Sequence, residues 1–231
     1  MNKKEIHKIV HTFCKIRETE LEISRQYKNQ KMRCPVHLSI GQESIASALS
    51  AIYSKKDYVI SNHRCHAHYI SKNGSLPKMI YELHGLSDGC SMGIGGSMHL
   101  VDESKNFIGS TAIVSNSIPV GVGYAYGLKL KKNKSKVFIF LGDASIESGT
   151  FYESINFAII HKLNIVFICE NNFYSVYSNF KERQPRNREI HQMVSSIGVN
   201  SCKIFSNNPF TIFEKLKKFI DKNPLSFIEI D

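Results

Sequence analysis

The sequence predicts an α/β fold in which a mostly parallel sheet carries helices on both faces. Short, fully apolar segments alternate with helical ones in the second half of the chain, and such strands are usually buried on both sides. The predicted elements there are strand 137–141, a helix from about residue 147 to 161, strand 164–169, strand 199–205, helix 209–222 and strand 225–230. In sheets of this kind, ligands bind at the carboxyl ends of the strands.

The first half of the chain is predicted to be mainly helical. Apolar residues recur at three- and four-residue spacing from residue 3 to 25, which is typical of an amphipathic helix. The other elements predicted there are helix 42–53, strand 57–60, helix 66–72, helix 76–84 with Pro77 in its first turn, and a small-residue helix after Pro119 that runs toward Lys132.

Residues 85–116 contain too many glycines for a regular element. Six of them lie among serines in this segment, at positions 85, 89, 93, 95, 96 and 109. Because long structureless loops are uncommon in compact domains, an ordered functional loop is one interpretation. A flexible surface excursion is the other.

Length and composition favour a soluble globular protein, read as a single domain over residues 1–231. Hydrophobic residues make up 42% and charged residues 22% of the chain. The net charge of +10 comes from dispersed lysines without a nucleic-acid motif, so we expect no specific nucleic-acid binding. Six cysteines without a Cys-x-x-Cys pair, no secretory signal and no apolar run long enough for a bilayer predict a cytoplasmic location without membrane attachment.

Polar side chains follow two successive apolar strands. Gly142 and Asp143 end the first, and Asn171 and Asn172 end the second. One strand–helix–strand unit therefore places the Asp143 carboxylate beside the Asn172 amide oxygen, and these are ligands that suit Mg²⁺ in the company of a diphosphate. The alternative interpretation is a helix cap at Asp143 and an ordinary turn at Asn171-Asn172.

This spacing resembles the thiamine-diphosphate motif, and other segments narrow the resemblance to the α subunit of the 2-oxo acid dehydrogenase E1 component (the pyruvate, branched-chain and acetoin type). The glycine-rich segment is the most specific, since transketolases lack it. The similar segments, in the order of that family, are HLSIGQE at 37–43, HRCHAH at 63–68, GCSMGIGGSMHL at 89–100, IPVG at 118–121 and FICENNFY at 167–174.

The resemblance implies the thiamine-diphosphate-binding fold, of the type that holds the diphosphate, and a set of site residues. Asp143, Asn172 and the carbonyl of Tyr174 would bind Mg²⁺. The diphosphate would be held by His63 and Arg64 and by the backbone that follows Gly142. The remaining implied contacts are the backbone at Ala144 and Ser145 for the diphosphate, Ala112 and Val114 for the aminopyrimidine, Val176 as an apolar wedge under the cofactor, and His37 as the catalytic residue at the substrate end.

Several of these residues have simpler interpretations. Arg64 could be a surface residue, and Val176 could belong to the core. His66, His68 and His99 fit structural hydrogen bonds better than proton transfer. A zinc site at His63, His66 and His68 is disfavoured, because residues at this spacing do not lie on one face of a helix and no fourth ligand is evident.

The chain also departs from the family pattern. Ala144 and Ala112 stand where the family usually has glycine, and a methyl group at 144 is tolerable only if φ stays negative there. Family α subunits usually continue beyond the last strand into a loop with a further catalytic histidine, whereas this sequence ends at Asp231. We expect either a shortened form or a partner that supplies what is missing.

The implied activity is decarboxylation of a 2-oxo acid with transfer of the acyl group to a lipoyl carrier on a transacylase. A β subunit would supply the activating glutamate in an α₂β₂ heterotetramer, since Glu147 and Glu153 are expected to face away from the site. A transketolase-like carboligase and an inactive binding subunit are the alternatives. Polar residues at 115–117 suggest a substrate more polar than a branched-chain acid.

Overall fold

The computed structural model describes residues 1–231, and its centre is a six-stranded sheet in which every neighbouring pair of strands is parallel. A separate antiparallel hairpin lies at the carboxyl end of the fourth strand. The strands are β1 (Tyr58–Ser61), β2 (Phe107–Ser110), β3 (Val137–Gly142), β4 (Ile165–Glu170), β5 (Tyr174–Ser175), β6 (Ser178–Asn179), β7 (Asn200–Ile204) and β8 (Ser226–Ile230). Their order across the large sheet is β2-β1-β3-β4-β8-β7, and β5 pairs with β6.

Nine α-helices surround this sheet. They are α1 (Lys3–Tyr27), α2 (Glu43–Ile52), α3 (His66–Ser71), α4 (Leu76–Leu83), α5 (Ser117–Leu130), α6 (Gly149–Ile160), α7 (Phe180–Arg183), α8 (Ile190–Ser196) and α9 (Pro209–Lys222). None of them combines the length and the apolar character needed to cross a membrane. The predicted α/β class with helices on both faces is confirmed.

Local sequence signals explain where the longer helices begin. The Asn2 side chain accepts the N–H of Glu5 while the Glu5 carboxylate accepts the N–H of Asn2, which is a complete capping box for α1. Asn208 caps α9 in the same position, and Pro209 follows at the first turn, where a missing N–H costs nothing. Pro77 has the corresponding place in α4.

The core has two halves because alternate strand residues point to opposite faces of the sheet. Phe138 and Phe140 face the side covered by α1, α2 and α9, whereas Ile139 and Leu141 face the side covered by α5, α6 and α8. All four side chains are at most 1% exposed. Burial on both faces is the physical reason why β3 and β4 are continuously apolar.

Gly121 lets α5 lie directly on the sheet. A Cβ atom at this position would come within 2.5 Å of the Ile139 side chain and 2.9 Å of that of Ile60. Any larger residue would therefore push α5 away from β1 and β3. This contact fixes the helix that leaves the carboxyl edge of the sheet.

Some elements differ from the sequence predictions. The segment 85–116 contains strand β2 at the sheet edge, which the prediction missed because its four residues include a glycine and form no apolar run. The β5–β6 hairpin and the short helices α7 and α8 were also missed. Helix α5 begins at Ser117, before Pro119, and a 3₁₀ turn over Asp143–Glu147 precedes α6, which begins at Gly149.

Candidate functional site

The candidate site lies at the carboxyl ends of three adjacent strands, β1, β3 and β4. The segment with His63 and Arg64 follows β1, the 3₁₀ turn that begins at Asp143 follows β3, and Asn171-Asn172 follows β4. The register pairs Gly142 with Glu170, so both strands end at the same level. The predicted convergence of these segments is therefore what the topology produces.

Asp143 is a buried carboxylate with a cationic partner. It is 2% exposed, and its Oδ2 lies 2.5 Å from Nη2 of Arg183, which follows the β5–β6 hairpin. The other guanidinium nitrogen, Nη1, contacts the Glu147 carboxylate. Arg183 thus bridges two acidic groups of the 3₁₀ turn. The expectation that Glu147 faces away from the site is wrong. Glu147 lies at the end of the 3₁₀ turn, and its carboxylate contacts the same arginine as Asp143 does.

Burial dominates the electrostatics of Asp143. Removal of the carboxylate from water raises its pKa, and the hydrogen bond and positive charge of Arg183 offset part of that rise. A buried carboxylate of this kind is stabilised by any cation that approaches it. The alternative role of helix cap is not seen here, since α6 starts six residues later and Asp143 pairs with Arg183 instead.

The loop after β4 is held by its own asparagines. Asn171 is buried, donates to the Glu229 carboxylate of β8 over 2.8 Å, and accepts the N–H of Phe173. Asn172 is exposed, and its Oδ1 accepts the N–H of Tyr174 over 3.0 Å. The turn that was the alternative interpretation is therefore present. It directs the chain into the hairpin, whose first strand packs against the 3₁₀ turn of Asp143.

The tip of this hairpin is strained. Val176 has φ of +54° and its side chain is 86% exposed. A β-branched residue is a rare occupant of the left-handed region, and such backbone strain costs about 1–3 kcal/mol. Its exposure excludes the alternative that Val176 belongs to the core. An apolar side chain is thus presented to solvent beside Tyr174, in a conformation that glycine would adopt more easily.

His37, His63 and Arg64 form one cluster. The two imidazole rings meet edge to face with centroids 4.9 Å apart, and the Arg64 guanidinium donates to the Leu38 carbonyl over 2.7 Å. Burial lowers the pKa of both histidines, and the positive charge of Arg64 lowers each further. Both imidazoles are therefore neutral near pH 7. Arg64 is half-buried and tied to the segment of His37, so it is not a free surface residue.

The loop before α5 is attached to the Asp143 turn. Ser115 has φ of +69°, and its hydroxyl donates to the Ser145 carbonyl over 3.1 Å. The Ser117 hydroxyl donates to the Phe140 carbonyl. These bonds give Ser115 and Ser117 structural roles, whereas Asn116 is exposed. In the same loop, Ala112 is partly buried and Val114 is 58% exposed.

The backbone at Ala144 satisfies the condition set by its extra methyl group. Ala144 lies in the 3₁₀ turn and keeps a negative φ. Gly142, two residues before it, has φ of −90°, an ordinary extended conformation. A methyl group at 144 is therefore compatible with the turn.

His66 and His68 are buried structural residues. His66 contacts Glu20 of α1 over 3.2 Å and the Ser97 hydroxyl over 2.9 Å. The same arrangement recurs at His68, which contacts Ser61 over 2.7 Å and Glu170 over 3.0 Å. Both ring nitrogens of His66 and of His68 are thus hydrogen-bonded within the protein, which supports the structural interpretation for these two residues.

The glycine-rich segment is ordered by one buried carboxylate that the sequence interpretation missed. Glu82 is fully buried in α4 and accepts four backbone N–H groups from the loop, at 2.7–3.0 Å. Those groups belong to Ser91, Gly93, Gly95 and Gly96. Gly93 has φ of +73°, and a Cβ there would come within 2.6 Å of the Gly85 backbone. The segment is an ordered loop, and the interpretation as a flexible excursion is wrong.

Arg183 and Glu82 could not be found from local patterns. Both belong to helices in the structure, and their partners lie in loops elsewhere in the chain. The one available signal was charge: a glutamate that ends up in the buried face of a helix needs a partner.

Comparison with known proteins places this arrangement in a family. The chain matches the family described as dehydrogenase E1 component over residues 12–221. It is 36% identical over 169 residues to the pyruvate dehydrogenase E1 component subunit alpha of Rickettsia bellii, which covers 73% of this chain and 51% of the relative. Proteins of the same name from Porphyra purpurea and, as the mitochondrial form, Solanum tuberosum are 30% and 34% identical.

The coverage of these relatives is partial. The Porphyra match covers 86% of this chain and 60% of the relative, and the Solanum match covers 75% and 44%. The chain therefore spans about half the length of the curated relatives it matches. Because the family match extends over nearly the entire chain and includes every strand end of the candidate site, the chain belongs to the dehydrogenase E1 component family.

Proposed function

We propose that this chain is an α-type E1 subunit that binds thiamine diphosphate and Mg²⁺ and decarboxylates a 2-oxo acid. The observation that supports this most is the convergence of Asp143, Asn172 and Arg64 at three adjacent strand ends. A hard divalent cation and a diphosphate require this combination of oxygen ligands and cationic donors. Membership of the dehydrogenase E1 component family supports the same proposal.

The residues present fit the metal. Asp143 offers a buried carboxylate whose pKa is raised by burial. A divalent cation would stabilise the charged form and so offset the cost of its burial. Asn172 and the Tyr174 carbonyl would complete an all-oxygen set. Arg183 neutralises Asp143 in this structure, and Mg²⁺ would take over that role. The guanidinium would remain paired with Glu147.

The residues present also fit the diphosphate and the rings. Arg64 carries the positive charge, His63 contributes a neutral ring nitrogen, and the 3₁₀ turn after Gly142 presents the N–H groups of Ala144 and Ser145. The remaining roles are Ala112 and Val114 against the aminopyrimidine and Val176 as the apolar support that holds the cofactor bent.

When bound, thiamine diphosphate supplies the carbanion that attacks the 2-oxo group and the electron sink for loss of CO₂. The protein binds, orients and excludes water. We propose that His37 faces the substrate; its pKa is lowered by burial and by Arg64. A neutral imidazole can accept a proton or donate one from its other nitrogen, which is the role proposed for it.

We infer that the active enzyme needs a β subunit, in an α₂β₂ assembly that delivers the acyl group to a lipoyl carrier. The relatives are named alpha subunits. Large apolar side chains, among them Ile94, Ile113 and Val176, are at least 66% exposed around the site. A partner that covers them would also bring the activating glutamate. All six cysteines are unpaired, which fits the proposed reducing, cytoplasmic compartment.

Calorimetric titration of the α–β complex with thiamine diphosphate and Mg²⁺ tests the proposal. We expect saturable, Mg²⁺-dependent binding that Asp143→Asn weakens at least about tenfold. Glu153→Gln, an exposed change on α6, is the matched control and should bind as the unmodified complex does. Absence of binding to the unmodified complex would leave only an inactive scaffold subunit. Survival of Mg²⁺-dependent binding in Asp143→Asn would refute the metal assignment.

A further inference from the structure

A second polar pocket lies at the opposite end of the sheet from the candidate site. It has a volume of about 310 Å³, and ten residues line it. They come from α1, the C-terminal ends of α2 and α3, the turn that leads into β1, and the 3₁₀ turn before β2. Because β1 and β2 begin beside it, the pocket is at the amino edge of the sheet, where the E1 chemistry has no component.

The pocket is strongly and uniformly positive. Lys8, Lys55, Lys72 and Lys105 line it, and no aspartate or glutamate does. Its one apolar residue is Tyr53. None of the four ammonium groups lies within 4 Å of a carboxylate, in contrast to Lys203 and Lys217 elsewhere in the chain, which both form ion pairs.

Two of these lysines are partly or fully withdrawn from bulk water, and Lys72 is also held in place. Lys72 is 5% exposed, its ammonium donates to the Ser54 carbonyl over 3.1 Å, and it lies 5.3 Å from the centre of the Tyr53 ring. Lys8 is half-buried. Burial lowers the pKa of both lysines. The positive charge of a neighbouring lysine lowers each pKa further: Lys4 acts on Lys8, and Lys8 acts on Lys72. Asp57 opposes this effect at Lys72 without making an ion pair.

The capping of helix C-termini explains only part of this arrangement. Lys72 follows the last residue of α3 and lies near the end of α2, where a cation is favoured by the helix dipole. Lys8 is near the N-terminal end of α1, where no such benefit exists, and Lys55 is in a turn. Asp57 offsets part of the positive charge at Lys72, but none of the four ammonium groups forms an ion pair with a carboxylate inside the protein.

We propose that this pocket binds a small molecule that carries phosphoryl groups. A volume of about 310 Å³ is at the lower end of the range of ligand pockets, which suits a diphosphate or a small phosphate ester. Only one of the ten lining residues, Tyr53, is hydrophobic, and the four lysines disfavour an uncharged hydrophobic ligand. Each lysine contributes one positive charge and binds phosphate as a point charge. Several such charges around one pocket match a multiply charged phosphoryl group better than a carboxylate, which carries a single charge.

The test uses the chain of residues 1–231 and inorganic diphosphate in Mg²⁺-free buffer with chelator, so that binding at the proposed cofactor site is suppressed. Lys55→Gln/Lys105→Gln changes two exposed lysines of the pocket and leaves buried Lys72 in place, so that the fold is preserved. Lys31→Gln/Lys131→Gln removes the same charge from exposed positions outside the pocket. Calorimetry measures affinity, and amide NMR shifts at Asn73 and Ser104 report the location.

We expect the pocket double variant to weaken diphosphate binding at least about tenfold and the control pair to leave it within about twofold. The amide shifts of Asn73 and Ser104 should saturate with the same affinity. A parallel titration with ribose 5-phosphate distinguishes the source: tighter binding than diphosphate assigns a phosphate ester, and weaker binding assigns a free phosphoryl anion.

Three results would overturn the proposal. One is the absence of diphosphate binding at millimolar concentration. Another is an equal loss in both double variants, which would mean diffuse surface charge. The third is loss of binding in Asp143→Asn with retention in Lys55→Gln/Lys105→Gln, which would assign the anion to the cofactor site. A failure of the proposed function leaves this test unaffected, because the pocket shares no residue with that site.

Discussion

At the scale of single residues, Asp143 should make the stability of the chain depend on pH. Its pKa in the folded state is raised, mainly by burial, above the ordinary aspartate value. Between these two values the folded state binds more protons than the unfolded state, so the free energy of unfolding falls as pH rises. Each unit of pKa elevation corresponds to about 1.4 kcal/mol.

Urea unfolding of the Mg²⁺-free chain at a series of pH values tests this expectation. Asp143→Asn should lack the decline, so its stability relative to the unmodified chain should increase as pH rises through the window. Asp88→Asn, on an exposed turn, is the matched control for an aspartate-to-asparagine change. A constant difference between Asp143→Asn and the unmodified chain at all pH values would contradict the buried-carboxylate interpretation.

At the scale of elements, the glycine-rich loop depends on Glu82 of α4. Four N–H groups converge on its two carboxylate oxygens, and hydrogen bonds to charged groups contribute more than neutral ones. Glu82→Gln replaces one acceptor oxygen by an NH₂ group that faces two donors. We expect a loss of about 2–4 kcal/mol in the free energy of unfolding, since two buried donors lose their acceptor.

Denaturant unfolding and amide hydrogen exchange measure that effect. Exchange at Gly93, Gly95 and Gly96 should accelerate in Glu82→Gln more than exchange in the strands does. Glu153→Gln, which removes an exposed charge, should change neither quantity. Unaltered exchange in the loop would mean that its order comes from other contacts.

At Val176, the tip of the β5–β6 hairpin, we expect backbone strain to lower the stability of the chain while the side chain contributes to cofactor binding. Val176→Gly removes the strain of φ +54°, so the free energy of unfolding should stay equal or rise by up to about 1 kcal/mol. The same change deletes an apolar side chain that we propose to support the cofactor. Affinity for thiamine diphosphate should therefore fall while stability does not, a split that calorimetry and urea unfolding resolve together. Tyr177→Ala, at the neighbouring exposed position, is the control for altered hairpin contacts.

At the scale of the whole molecule, the exposed apolar side chains around the site form the surface where we propose that a partner subunit binds. Ile94 is 83% exposed on the glycine-rich loop. Ile94→Asp should leave the unfolding free energy of the isolated chain within about 0.5 kcal/mol, because surface changes away from special features are usually small. It should weaken association with the proposed β subunit, measured by sedimentation velocity.

A matched substitution checks that position matters. Ile160→Asp changes a 66% exposed isoleucine at the end of α6, at the amino edge of the sheet. It should associate as the unmodified chain does. If Ile94→Asp associates with the proposed partner as strongly as the unmodified chain does, the glycine-rich loop is not part of the proposed interface.

The sequence by itself determined the fold class, and it gave the strand ends at which the candidate site was expected. Continuous apolar runs report burial on both faces of β3 and β4, and this property is local. Parallel strands end at one edge, so the prediction that Asp143 and Asn172 follow adjacent strand ends came from their positions after those runs. Negative φ at Ala144 was a condition that the sequence could state and the structure could satisfy.

Only the tertiary structure decided which groups meet. Arg183 reaches Asp143 because a hairpin folds back over the 3₁₀ turn, Glu82 meets four loop amides, and four lysines from separate elements enclose one pocket. Strand β2 exists as a strand because β1 offers it an open edge. Periodicity encodes how deeply a residue is buried, whereas its partner depends on packing between segments distant in sequence, which no local pattern records.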